Sequence, residues 1–234
     1  MSGTVYGLGV GPGDPELLTL KALRILQASP VLAFPAPETG ESLTRAIVAT
    51  HLPAGQREIA IRVPMVASRF PAHEVYDQAA EEIADIVAGG KDVAVLCEGD
   101  PFLYGSFMYL FARLADHCPV EVVPGVSSLT AAACRLGVPL TSRNDVLAVI
   151  PAPLKADALA ARLAVVEAAA IVKLSRHFAK VRQVLDHLGL TAQARYIERA
   201  TMADERALLL TNVDPDKVPY FSMILVHRRG EAWR

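Results

Sequence analysis

Long apolar runs are missing from this chain, although 52% of its 234 residues are hydrophobic and only 21% are charged. Leu96 is followed by Glu98 and Asp100, Val166 by Glu167 and Val172 by Lys173. No stretch approaches the roughly 18 apolar residues that a spanning helix needs, so no membrane segment is expected. No basic leader precedes the apolar residues behind Met1-Ser2-Gly3-Thr4, and no secretory signal is expected. Charge of one sign is lacking too, since 23 Lys and Arg face 25 Asp and Glu for a formal net charge of -2. The whole molecule offers anions no attracting field, which disfavours bulk nucleic-acid binding. Cys97, Cys118 and Cys134 are too few and odd in number for a disulfide framework, and their apolar surroundings suit reduced thiols in the cytoplasm. The histidines and cysteines show no Cys-x-x-Cys or His-x-x-x-His spacing, so no metal site is expected. Gly-x-Ser-x-Gly and Gly-Lys-Ser/Thr are absent, against a serine hydrolase and a phosphate-binding P-loop.

What is present is a core-rich chain long enough for one or two domains. Strands are predicted at Thr4–Val10, Val31–Phe34, Glu58–Val63, Asp92–Leu96 and Val120–Val123. Helices are predicted from Asp14-Pro15 through Leu26 and at Ser42–Leu52, His73–Val87, Leu103–Ala115 and Ser128–Leu136. That alternation implies crossover units and a mostly parallel sheet. After Pro139 come strands at Val146–Ile150 and Ala169–Leu174 and helices at Ala156–Ala164 and Phe178–Leu188. The stretches Arg195–Glu198, Ala207–Leu210 and Tyr220–Val226 then follow with no long helix between the last two, so antiparallel pairing is expected there. The fold class is α/β, with two α/β domains, 1–124 and 125–234, the second carrying a mixed sheet.

Three strand-to-turn segments carry the chemistry. Gly7-Leu8-Gly9-Val10-Gly11-Pro12-Gly13-Asp14-Pro15 lets backbone approach a ligand beside a helix start. Its spacing is not Gly-x-Gly-x-x-Gly, because Pro12 or Asp14 falls in the third position, and Ala33-Phe34-Pro35 supplies no ribose-binding acid. Cys97-Glu98-Gly99-Asp100-Pro101 follows the fourth strand, where parallel sheets place ligands. Asp100 there also reads as an ordinary helix N-cap. Val123-Pro124-Gly125-Val126-Ser127-Ser128 puts two hydroxyls at a helix start, where either caps it equally well.

In this order the segments resemble the tetrapyrrole methylase family over nearly the whole chain. The resemblance rests on Gly9–Ala22, Glu98–Pro101, Val123–Ser128 and Ile197-Glu198-Arg199-Ala200-Thr201. Ala33–Pro37, Val63-Pro64-Met65 and Tyr104–Tyr109 look most like members acting on C20 of precorrin-2. The family implies S-adenosylmethionine bound in a cleft between two domains, the first on the tetrapyrrole side and the second completing the donor site. It places donor contacts on Pro12, Glu98, Gly99, Asp100, Leu103, Ser127, Ser128, Leu174 and Ala200, the last two through backbone atoms. Uroporphyrinogen-methylating relatives carry Tyr-Asp where this chain has Phe34-Pro35, which argues for a different ring position.

The implied activity is methyl transfer to C20 of precorrin-2, giving precorrin-3A, in a cytoplasmic homodimer. A cobalt-loaded substrate, another tetrapyrrole methylase, an ordinary Rossmann methyltransferase and a non-catalytic tetrapyrrole binder are the alternatives. A polycarboxylated substrate asks for a basic trough, with Arg62, Arg69, Arg143, Arg176 and His177 as candidates beside Gly9, Gly11 and Asp14. Each of those charges read singly is an ordinary solvated residue.

Overall fold

The structure is a computed structural model and describes residues 2–63 and 70–230. Arg69 and the Pro64-Met65 pair lie outside the described residues. The chain divides into two compact units, Met1–Ser127 and Ser128–Arg234.

The first unit holds β1 (Val5–Gly9), α1 (Leu20–Ala28), β2 (Val31–Pro37), α2 (Leu43–Ile47), β3 (Arg57–Val63), α3 (Phe70–Ala88), β4 (Val93–Cys97), α4 (Phe107–Leu114) and β5 (Val120–Val123). Its strands are all parallel, in the order β3-β2-β4-β1-β5. Side chains alternate across this sheet, as the two-residue period of a strand requires. Val5, Ala33, Val93, Val95 and Cys97 pack under α3 and α4 with Ile83, Val87, Phe107 and Leu110. Leu8, Leu32, Phe34, Ala94 and Leu96 pack under α1 and α2 with Ala22, Ile25, Leu26 and Ile47. Both faces are thus covered, which is why these strands read as continuous apolar runs.

Two helix starts differ from the sequence expectation. Asp14 and Pro15 open a short 3-10 turn, Pro15–Leu17, and α1 begins only at Leu20, capped by Thr19, whose side chain accepts the Ala22 N–H at 3.1 Å. Asp100 and Pro101 likewise form a turn, and α4 starts at Phe107 behind Ser106. An Asp-Pro pair satisfies a local turn as well as a helix cap, so the dipeptide alone does not decide between them.

The second unit holds α5 (Ser128–Leu136), β6 (Leu147–Pro151), α6 (Ala156–Ala164), β7 (Ala168–Val172), α7 (Phe178–His187), β8 (Ala194–Glu198), β9 (Arg206–Leu208) and β10 (Ser222–His227). The order is β6-β7-β10-β8-β9, with β6 and β7 parallel and the other pairs antiparallel. α6 and α7 cover one face through Leu159, Phe178 and Val181 against Ile171, Tyr196 and Ile224. α5 covers the other through Leu129, Ala132 and Ala133 against Ala170, Ile197 and Leu225. Cys97, Cys118 and Cys134 are free thiols, and Cys134 is exposed rather than set among apolar residues.

Candidate functional site

In the first unit β1 lies between β4 and β5, so the three segments singled out in the sequence leave adjacent strands at one edge of the sheet. The chain departs from β1 toward β2 and from β4 toward β5, on opposite sides. That reversal makes the carboxyl ends of β1 and β4 the switch point at which open parallel sheets take ligands.

The loops there are knotted together by their own backbone. The Val10 N–H donates to Cys97 O at 3.0 Å, the Gly99 N–H to Gly11 O at 2.9 Å and the Gly11 N–H to Gly99 O at 3.4 Å. Asp100 accepts the Phe102 N–H on Oδ1 at 2.9 Å and the Gly125 N–H on Oδ2 at 3.1 Å. A Cβ on Gly9 would stand 2.5 Å from Gly125 Cα, and one on Gly125 would stand 2.0 Å from Gly99 O. Gly7 is small for another reason: a Cβ there would lie 2.3 Å from the Phe107 ring. Packing of strand on helix and loop on loop therefore accounts for glycines that the sequence reading assigned to ligand approach. What the edge presents is a close-packed floor whose N–H groups at Val10, Gly11, Gly99 and Gly125 are already paired.

Above that floor the side chains are unequal. Asp14 accepts the Glu16 N–H at 2.8 Å and Asp100 is engaged as described, so both serve loop structure. Pro12 is buried, Ser127 is partly buried and Leu103 is 39% exposed. Glu98 is partly buried, and burial pushes its carboxyl above the usual carboxylate range, opposed only by its own main chain. The same burial pushes the Cys97 thiol up to about 11. Tyr76 of α3 stacks on Tyr109 of α4 with ring centroids 5.2 Å apart, and its buried hydroxyl is raised by desolvation and pairs with Ser106. Phe102, Leu103, Tyr104 and Tyr109 are large apolar residues exposed beside this edge. Of these the sequence reading named only Leu103, because a ligand-facing aromatic and a core aromatic look alike in a sequence.

The second unit has its own concentrated feature. The carboxyl ends of β7 and β8 flank the start of β10, with Val172 opposite Met223 and Glu198 opposite Ser222. Lys173, Ser175, Arg199 and Thr201 all take left-handed backbone there, at φ of 60°, 36°, 50° and 69°. Each costs about 1–2 kcal/mol for a residue with a Cβ, and such outliers gather at functional sites. They bracket Leu174 and Ala200, the two positions that the family resemblance proposes as donor contacts. Leu174 is 0% exposed with its side chain in the core, and its carbonyl accepts the His177 N–H at 2.7 Å. Ser128 opens α5.

The basic candidates do not form one group. Arg62 donates to Pro37 O at 2.9 Å and Glu38 O at 3.3 Å at the exposed end of β3. Arg176 and His177 form the short helix behind β7, where burial first, then Lys180 and Arg176, hold the His177 imidazole below its ordinary value. Arg143 precedes β6, which runs parallel to β7, and so lies at the opposite edge of that sheet from Arg176. Among the described residues no helix is long and apolar enough to cross a membrane, and no cluster of three or more His, Cys, Asp or Glu could hold a metal ion.

Comparison with known proteins gives this arrangement its relatives. Residues 4–214 match the Tetrapyrrole (Corrin/Porphyrin) Methylases. The chain is 39% identical over 232 residues to the precorrin-2 C(20)-methyltransferase of a Sinorhizobium species, covering 96% of this chain and 95% of that protein. It is 33% identical over 236 residues to the cobalt-precorrin-2 C(20)-methyltransferase of Salmonella typhimurium, covering 99% of each. It also matches the cobalamin biosynthesis protein CobIJ of Mycobacterium bovis, at 39% identity over 96% of this chain, and spans about half, 46%, of that relative's length. The uroporphyrin-III C-methyl transferase of Thermus thermophilus, solved with S-adenyl homocysteine, is 27% identical with a TM-score of 0.69, covering 96% of this chain and 92% of that one. A match that begins at the threshold of β1 and runs past β9 takes in all three loop segments and both strained turns, and on it the chain belongs to the tetrapyrrole methylase family.

Proposed function

We propose that this chain is an S-adenosylmethionine-dependent C-methyltransferase that methylates C20 of precorrin-2, giving precorrin-3A in cobalamin biosynthesis. The observation that carries the proposal is the switch-point edge of the first unit. The close-packed glycines there share their loops with an acidic residue, Glu98, and with the exposed apolar residues Phe102, Leu103 and Tyr104. The donor is a sulfonium cation, and the partly buried Glu98 carboxylate suits that charge. The exposed aromatics suit the broad apolar face of a macrocycle. Full-length identity to proteins named for this ring position supports the choice of C20.

Within the proposal Pro12, Glu98, Gly99, Asp100, Leu103 and Ser127 contact the donor. Gly9, Gly11 and Asp14 border the substrate, and Arg62 and Arg69 meet its carboxylates. Ser128, Leu174 and Ala200 of the second unit remain proposed donor contacts on the family resemblance, as Arg143, Arg176 and His177 remain proposed carboxylate partners. S-adenosylmethionine supplies a methyl group that is already electrophilic, so the residues act by alignment. Holding reacting atoms about 3–3.5 Å apart in line removes roughly 7–11 kcal/mol from such a barrier. A cytoplasmic homodimer completes the reading, its stoichiometry open to sedimentation.

The test is anaerobic incubation of the protein with donor and precorrin-2, in metal-free and cobalt-loaded forms, with the product read by mass. Gain of one methyl on the metal-free ring is the expected result. Gain only on the cobalt form would move the reading to the metal-loaded substrate, and gain on neither would sink it.

A further inference from the structure

Methylating C20 leaves one more step for the protein to perform. The meso carbon carries a hydrogen, and conjugation returns to the ring only when that hydrogen leaves as a proton. Five carboxylates follow closely on the carboxyl ends of the first unit's strands among the described residues: Asp14, Glu38, Glu41, Glu98 and Asp100. Asp14 is committed to the Glu16 N–H and Asp100 to the Phe102 and Gly125 N–H groups. Glu38 and Glu41 are exposed beyond β2, and the Glu38 carbonyl accepts from Arg62. The end of β2 itself, Phe34-Pro35-Ala36-Pro37, has nothing to titrate. Glu98, partly buried like Asp14 and Asp100, stands directly beyond β4 at the switch point, and among these carboxylates it is the one that serves no loop, bonded to nothing but its own main chain.

We infer that Glu98 is the catalytic residue that accepts the C20 proton. The inference rests on C20 methylation as proposed above. The C20–methyl bond forms as the sulfur–methyl bond breaks, and positive charge passes from the donor to the ring. The C20–H bond then breaks, its electron pair returns to the ring, and the proton forms an O–H bond on the Glu98 carboxylate. A carboxylate that faces the donor's cation before transfer thus faces a cationic ring after it. Its surroundings make it a better base than an exposed carboxylate, because burial holds its affinity for protons up. Its charge adds to the burial that raises the Cys97 thiol of β4 and the Tyr76 hydroxyl of α3, the titratable groups it influences. Behind Tyr76 stand Ser106 and Tyr109 of the α4 region, and Arg113, whose guanidinium carbon lies 6.0 Å from the Tyr76 ring centroid. Arg113 is itself paired with Asp77 at 2.5 Å and approaches His73 at 3.5 Å.

The experiment compares Glu98→Gln and Glu98→Asp with the wild type in a single turnover, following S-adenosylhomocysteine and the product chromophore separately. Wild-type turnover comes first, and if the wild type transfers no methyl the functional reading fails before Glu98 is tested. For Glu98→Gln the expected result is weakened donor binding and, once the donor is saturating, a burst of S-adenosylhomocysteine that outruns chromophore formation, the latter slowed by about 10²–10⁴-fold, the usual worth of a positioned base. Glu98→Asp is expected to recover part of that rate with a shifted acid limb in the pH profile. Equal slowing of both signals at saturating donor would confine Glu98 to donor binding and overturn the inference, as would two unchanged signals. Should Glu98→Gln fail to fold, the Glu98→Asp profile decides, and an unmoved acid limb counts against the role.

Discussion

Asp100 joins two loops that are far apart in sequence: its Oδ2 accepts the Gly125 N–H at 3.1 Å while its Oδ1 accepts the Phe102 N–H at 2.9 Å. The carboxylate therefore ties the turn behind β4 to the turn behind β5 across the end of β1. Asn in its place keeps one acceptor and turns an NH2 group toward the other donor. Asp100→Asn is expected to lose about 1.5–3 kcal/mol, the range for hydrogen bonds to a charged group, together with donor affinity. Urea unfolding and donor titration check it, and wild-type values in both would show that the tie is dispensable.

Gly125 and Gly137 make a matched pair for substitution by alanine. A Cβ on Gly125 would meet Gly99 O at 2.0 Å and Gly9 Cα at 2.7 Å, all backbone atoms that cannot turn aside. A Cβ on Gly137 would meet nothing within 4 Å, but its φ of +65° is left-handed. Gly137→Ala is expected to cost about 1–2 kcal/mol and to leave catalysis intact. Gly125→Ala is expected to cost about 3 kcal/mol or more through overpacking and to abolish donor binding. Thermal unfolding alongside the methyl-transfer assay separates the two. Equal losses would mean that the loop crossing yields more easily than its geometry implies.

Tyr196 buries a hydroxyl that donates to Glu198 Oε2 at 2.6 Å, with both residues at or below 4% exposure. Burial first, then Glu198, pushes the phenol well above its ordinary value, so it stays a donor at any working pH. Glu198 is further paired with Arg206 at 3.3 Å. Tyr196→Phe is expected to cost about 1.5–3 kcal/mol, because a buried carboxylate loses the hydrogen bond to its Oε2 while Arg206 holds the other oxygen. A fall in unfolding temperature without change in the far-ultraviolet spectrum is the outcome that fits, and an unchanged temperature is the one that does not.

Strands were legible because a sheet covered on both faces demands apolar runs, and α6, Ala156–Ala164, falls where its period placed it. Helix starts at Asp14 and Asp100 were misread because Asp-Pro builds turns and caps with the same bonds. Strand order was not legible, since β1 pairs with β4 and β5, which lie about a hundred residues further on. The same distance hid why Gly7 and Gly9 are glycines, because Phe107 and Gly125 are what crowd them. The positions of Leu174 and Ala200 came from resemblance, and their strained flanks add a physical reason that no spacing rule carries. Arg135 and Glu205, 70 residues apart, gave no local signal at all.

That last pair braces the turn around Ala200. Arg135 Nε donates to both Glu205 oxygens, at 2.9 and 2.8 Å, and Glu205 Oε2 accepts the N–H of Thr201 at 2.6 Å, where φ is +69°. The Arg135 hydrogen bond holds the Glu205 carboxyl below its ordinary range, against burial and with help from the Thr201 N–H. A carboxyl depressed in the folded state stabilises fully above its unfolded value, about 4.3, and that contribution is lost as pH falls through the lower folded value. Glu205→Gln is therefore expected to melt below the wild type near neutral pH, with the gap closing as the pH drops below about 4. Its KM for S-adenosylmethionine should rise several-fold with kcat little changed, because the strained turn, not a reacting group, has been loosened. Glu205→Asp, which keeps the charge on a shorter arm, should recover part of the affinity. A gap in melting temperature that stays constant on acidification would show that the brace does not depend on the ionised carboxylate.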